Sequence, residues 1–500
     1  MIKYRKYGIL IILTSFSGFV QAQTDVDLTK QTVDTNESAS HIWFLASDEL
    51  KGRDTGSPEI DIAASYIAAQ FRKYGVLPVT GDSGYYQAVP LEATKPPSQG
   101  TLHAGDFSFT IGENLVALQA TNITAEHPVL FLEFAMPEEL TRENVKGKII
   151  IAKAGKSGER NPRSFFSLSR DKRKAAKENG AVALVELYNS TAFPWSMLLN
   201  FLNREQLRLA GNDNETDQDN FGHLWVYDPE NAFYAYLSDN KKIAARIGLT
   251  SKERTAVKAT NVIGMVEGTD PELKNEYILL SAHYDHIGYK TGTHGEDSIY
   301  NGARDNAIGV AAILSAAQGF GKYPPKRSVI FLACTGEEKG LLGSKWFAEN
   351  PPVALHKIVY NLNIDGGGYN DVTKVSIVGL HRTTAEKHLI SAVHDFGLEP
   401  IADPAPEQNL FDRSDNVSFA AKGIPAPTFS TGFTSFDEEI MKYYHQVTDE
   451  AESLDYDYLA KYFLSYVLAA RRIANMEETP FWTKGDKYEE AGRKLYELNK

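Results

Sequence analysis

The sequence predicts an α/β chain: a mixed, mostly parallel sheet with helices on both faces, and a smaller β-rich unit inserted ahead of most of that sheet. Three observations carry this expectation. After Ala256, the apolar runs Tyr277–Ala282, Ser328–Cys334 and Ile358–Asn363 alternate with helical stretches, the pattern of a sheet covered by helices. Between them and the start lies a stretch of different character, with short apolar runs at Val129–Glu133, Lys148–Ala152 and Ala181–Leu187. That stretch is bracketed by a Pro/Ser/Gly cluster at Lys95–Gly100 and by polar residues at Thr250–Thr255, which read as joints.

Taken in order, the chain opens with Lys3, Arg5 and Lys6, an apolar core Gly8–Phe19 and the small-residue site Val20-Gln21-Ala22. The core is too short for a bilayer that needs about 20 residues, so residues 1–22 read as a signal peptide and the expectation is an exported, periplasmic or extracellular protein. His41–Leu50 is an amphipathic turn or helix. Glu59–Tyr74 has a helical apolar period and stops at Gly75. Arg170–Asn179 is a charged helix ended by Gly180, and Asn212–Asn220 an acidic surface loop. Further on, helices are expected at Ala307–Ala317, Leu341–Glu349, Thr384–Phe396 and Tyr456–Met476, followed by a charged tail. The implied units are 23–100 and 256–500 for the main domain and 101–255 for the insert.

Composition narrows the function classes. With 500 residues, 42% hydrophobic and 23% charged, the chain is globular, not disordered. A net charge of −13 argues against nucleic acid or an anionic membrane as partner. The single cysteine, Cys334, excludes an intramolecular disulfide and a cysteine-based zinc finger, and sits in an apolar run as a core residue would.

The chemistry lies where the apolar runs end. His283 and Asp285 follow the first run, Glu337 and Glu338 the second and Asp365 the third, and strand ends frame the ligand crevice of an open α/β sheet. Asp305 starts the Ala307 helix and His445 comes from a much later loop. Imidazoles with carboxylates suit zinc, and a shared carboxylate can bridge two metals. Each residue alone has a plainer explanation: a packed or surface histidine, a solvated Glu-Glu pair, an aspartate cap. His286 and His294 have no matching partners and read as surface residues or as support behind the ligands. The joint pattern of three successive runs ending in potential ligands favours the metal.

At this point the motifs resemble a known family. Ser281-Ala282-His283-Tyr284-Asp285-His286, Asn301-Gly302-Ala303-Arg304-Asp305-Asn306-Ala307, Gly336-Glu337-Glu338-Lys339-Gly340, Asn363-Ile364-Asp365 and Tyr444-His445-Gln446-Val447-Thr448-Asp449 together resemble the co-catalytic di-zinc aminopeptidases and glutamate-carboxypeptidase-like exopeptidases. Leu45–Arg53 resembles the start of that catalytic domain, and Val145–Ile150 with Ala175–Ala181 resembles the protease-associated domain often inserted in it. The resemblance implies the zinc exopeptidase fold, a peptide substrate and two zinc ions per chain. It implies His283 and Asp365 on one zinc, Glu338 and His445 on the other, and Asp305 bridging, with a cis peptide often following. Glu337 would carry the proton between water and leaving amine, and Asp285 would orient His283. Tyr444 would hold the oxyanion and Asp449 would support His445. Two departures stand out: Arg304, where the family often has Asp, and Asn416, where it often has His. A single-zinc glutaminyl-peptide cyclotransferase and a non-catalytic binding protein share the fold; the complete ligand set counts against both.

Overall fold

The computed structural model describes residues 24–119, 122–158, 162–190, 194–211, 221–250, 253–291 and 295–498. The signal-peptide segment, the Asn212–Asn220 loop and His294 lie outside them.

The first of two sheets is ten-stranded and mixed. At its centre, Tyr277–His283 pairs in parallel with Ser328–Cys334 on one side and Ile358–Ile364 on the other, and Thr428–Ser430 continues the parallel run. Antiparallel pairing begins outside this centre, at Glu253–Val266 against Ser328–Cys334 and at Lys374–Val378 against Thr428–Ser430. The sheet is therefore parallel in its middle and mixed at its flanks.

The central strands are apolar throughout because both faces are covered. Ile278, Leu280 and Ala282 pack toward the helices Thr35–Leu45, Pro58–Lys73, Ile308–Lys322 and Tyr456–Ala474. Leu279 points the other way, into a cluster with Phe347, Phe419 and Trp482. The Pro58 helix has a serine cap, Ser57, whose hydroxyl accepts from Ile60 N, and proline at its first position.

The second sheet has eight strands between Gly100 and Leu249, with its own core of Leu102, Ile149, Val185, Leu224 and Phe233. Two features differ from the sequence expectation. Glu253–Val266 begins before Ala256 and forms a long antiparallel ribbon with Tyr86–Lys95, so residues 253–255, the end of the polar stretch read as a joint, are strand. Gln206–Leu209, inside the 101–255 segment, leaves its own sheet and pairs antiparallel with Leu91–Thr94 at the edge of the first. Edge strands offer unpaired backbone groups, and this pairing satisfies them. No helix among the described residues is long and apolar enough to cross a membrane.

Candidate metal centre

Parallel register brings the strand ends level. His283 lies opposite Cys334, and Ser281 opposite Asn363, so the residues that follow each strand emerge on one edge. Behind that edge, Ser281 donates to Asn363 Oδ1 at 2.7 Å and Asn361 Nδ2 donates to Ser281 Oγ at 2.8 Å. Asp305 is set by an irregular turn, Ala303–Ala307, entered through Gly302 at φ 60°, where an added Cβ would meet Asp305 O at 2.3 Å. The Asp305–Asn306 peptide is cis. His445 arrives from its loop with φ 55°.

These residues converge on two linked sets. His283 Nε2 lies 3.3 Å from Asp305 Oδ1 and 3.4 Å from Asp365 Oδ1. His445 Nε2 lies 3.2 Å from Asp305 Oδ2 and 3.3 Å from Glu338 Oε2. Asp305 thus gives one oxygen to each set. The spacing is informative: ligands at zinc bond lengths of about 2.0–2.1 Å in a tetrahedron stand about 3.3–3.4 Å apart. The donors fit zinc in type and separation.

The electrostatics agree. Burial pushes the His283 imidazolium down, but Asp305 and Asp365 hold it well above the usual histidine range. Burial likewise opposes charge on His445, yet Asp305 and Glu338 raise it to about 10. Burial and Asp305 push the Glu338 carboxyl up, and His286 with His445 outweigh them, holding it at about 2. The cluster strongly favours positive charge at its centre, and a metal ion would take the place of these protons. Glu337 differs: burial lifts its carboxyl well above the ordinary range.

The surroundings both follow and depart from the sequence reading. Asp285 is fully buried beside His283, but His283 Nδ1 meets the Asp285 carbonyl at 3.1 Å while the carboxylate stands at 3.8 Å. That carboxylate instead accepts from Glu337 N (3.1 Å), Glu338 N (3.3 Å) and Thr55 Oγ1 (3.0 Å), so Asp285 also positions the Glu-Glu loop. Asp449 faces away from the role of supporting His445. It accepts from Arg304 N at 3.0 Å and Asp305 N at 3.3 Å, and pairs with the Arg304 guanidinium at 3.2 Å. Arg304 turns from the centre, stacked 3.6 Å over Tyr443 and donating to Ser453. Asn416 is buried and donates to the carbonyls of Phe411 and Ala426, a scaffold role. Tyr444 lines the cleft with its ring 4.2 Å from that of His445, against Gly367 where a Cβ would meet the ring at 2.6 Å.

Of two further residues, His286 takes the second of the places the sequence left open to it, as support behind a ligand, and Arg53 has a role that the sequence reading missed. His286 is fully buried, not at the surface, with Nδ1 2.8 Å from Glu338 Oε1, the oxygen that His445 leaves free. It also forms a close group with Asp305 and Glu338. Its place three residues after His283 was the available signal. Arg53, also buried, donates to the carbonyls of Leu45, Tyr284, Asn301 and Gly302, tying together the two loops that carry His283 and Asp305.

Residues 261–468 match the model of Peptidase family M28. A "Probable zinc metalloprotease" of Pyrenophora teres f. teres is 32% identical over 136 residues, 27% of this chain and 26% of that protein. A "Vacuolar membrane protease" of Saccharomyces cerevisiae is 30% identical over 150 residues, 28% of this chain and 14% of that protein. The chain thus spans about a quarter or less of the length of these relatives. Among solved structures, the "Aminopeptidase from Aneurinibacillus sp. strain AM-1" is 21% identical and covers 92% of this chain and 97% of its own, with a TM-score of 0.55, a likeness of fold.

Proposed function

We propose that the chain is a di-zinc exopeptidase, an aminopeptidase that removes N-terminal residues from peptides after export from the cytoplasm, a reading supported by the match of residues 261–468 to the model of Peptidase family M28. The observation that carries this reading is the sharing of Asp305: one carboxylate oxygen lies 3.3 Å from His283, which lies 3.4 Å from Asp365, and the other lies 3.2 Å from His445, which lies 3.3 Å from Glu338. His283, Asp365 and Asp305 Oδ1 would hold one zinc, and Glu338, His445 and Asp305 Oδ2 the other. Bound there, zinc supplies a Lewis acid for the scissile carbonyl and a nucleophile at neutral pH.

The chain's own groups do the rest. Glu337 lines the same cleft, its backbone N–H fixed by Asp285, and its carboxylate is placed to accept a proton from the attacking water and return it to the leaving amine. The Tyr444 hydroxyl, kept protonated by burial, donates toward the developing oxyanion. Asp285 fixes the loop that aims Glu337 and Glu338. The eight-stranded unit is read as a protease-associated domain that shapes access.

The test is Glu337→Gln assayed on leucine p-nitroanilide. The variant should keep its zinc and its fold and lose about 10²–10⁴-fold in kcat. Full activity in the variant would remove Glu337 from the reaction. Zinc-free wild type with no turnover would favour a binding protein, and one zinc with cyclisation of N-terminal glutamine a cyclotransferase.

A further inference from the structure

The cleft that opens from the metal centre has a cavity volume of about 140 Å³. One wall is apolar: Leu410, Phe433, Ile440 and Tyr444 pack together with Ala405, and Phe436 closes on Phe433 edge to face at 4.8 Å. Near the metal centre the lining is acidic, with Asp305, Glu337, Glu338 and Asp365. One arginine stands on this lining, Arg413, and no lysine.

Arg413 is exposed, and its guanidinium has no hydrogen bond or ion pair among the described residues. Its neighbours do not neutralise it. Asp412 is engaged by Lys487 at 2.6 Å and by Tyr488 at 3.0 Å, and Asp415 is buried on the inner side of the same turn. Of the other arginines near the centre, Arg304 is held by Asp449 and Ser453 and turned away, and Arg53 is buried and engaged by backbone carbonyls. Arg413 and Tyr444 line the same cleft.

The charges sort the two ends of a substrate. A peptide ammonium belongs among the carboxylates of the centre, and a guanidinium beside it would repel it. With zinc bound, Asp305, Glu338 and Asp365 would be balanced by the ions, Glu337 would face the ammonium, and Arg413 would remain the one arginine or lysine on the cleft lining. A peptide carries one kind of group that complements it.

We propose that Arg413 is a specificity-determining residue that recognises a substrate carboxylate while an apolar side chain lies against the Phe433 wall. This rests on the peptidase reading above. The carboxylate comes from one of two sources, the C-terminus of a very short peptide or an acidic side chain.

The experiment compares kcat/KM for the zinc-loaded chain and its R413Q and R413K variants on four probes: leucyl-leucine, leucyl-leucinamide, glutamyl p-nitroanilide and leucyl p-nitroanilide. R413Q should lose roughly tenfold on a carboxylate-bearing probe, with R413K recovering part of it, and stay within about twofold on its uncharged counterpart. A loss confined to leucyl-leucine against its amide identifies the C-terminus. A loss confined to the glutamyl against the leucyl anilide identifies the side chain. Equal losses on all four probes, or none on any, overturn the proposal while leaving the peptidase reading intact. Wild type that turns over none of the four overturns both.

Discussion

Asp449 gives the sharpest test of how this centre is held. Its buried carboxylate accepts the backbone N–H of Arg304 and of the bridging Asp305 and pairs with the Arg304 guanidinium, itself 3% exposed. Burial keeps the Asp449 carboxyl above its ordinary range despite Arg304, so the pair adds little beyond what an apolar pair would. Breaking it is another matter. Asp449→Ala strands a buried guanidinium and two amides, at a cost of about 3–5 kcal/mol. At about 2–4 °C per kcal/mol, the main domain should melt roughly 6–20 °C lower. In an Arg304→Met background the stranded charge is gone and the same substitution should cost about 1–3 kcal/mol, a coupling of about 2 kcal/mol. Thermal unfolding of the four proteins measures this, and zinc content adds a second readout: Asp449→Ala loosens Asp305 and lowers metal retention, whereas Arg304→Met leaves the amides in place and keeps it. Equal costs in both backgrounds, or a loss under about 1 kcal/mol, would refute the reasoning.

Two further outcomes follow from other parts of the fold. His41 is buried between Tyr66 and Tyr74, and burial pulls its imidazole down to about 4. A histidine with a depressed folded value is stable neutral, so its contribution is intact above pH 6.5 and is lost as pH falls toward 4; denaturant titrations should show about 2 kcal/mol lost by pH 5, and His41→Gln should flatten that slope. At Gly302 an added Cβ would meet Asp305 O at 2.3 Å and the His286 ring at 2.7 Å, so Gly302→Ala should displace the bridging loop and lower zinc affinity by tenfold or more, read by competition with a chelator.

Much of the centre was legible because it is local in sequence. His283, Glu337, Glu338 and Asp365 each follow an apolar strand within four residues, and parallel register alone makes such ends neighbours. His445 has no such strand, and its place rested on the family resemblance. What escaped reading depends on long-range geometry. Besides Leu45, Arg53 acts through carbonyls 231 to 249 residues away, and a buried arginine looks like any other in a sequence. His286 belongs to the centre because its ring turns toward Glu338, a matter of side-chain direction. Asp449 serves Arg304 and Asp305 because Arg304 swings out over Tyr443. The ribbon of Tyr86–Lys95 and Glu253–Val266 was missed because the first residues of its second strand, 253–256, are polar or exposed, so that end resembles a joint.

The central claim is that one carboxylate joins two metal sites. The direct measurement is zinc per chain by elemental analysis for wild type, His445→Ala and Asp305→Ala, each checked for fold by circular dichroism. The account predicts about two zinc ions in wild type, about one in His445→Ala and close to none in Asp305→Ala. One zinc in wild type, or an Asp305→Ala protein that still holds two, would contradict it.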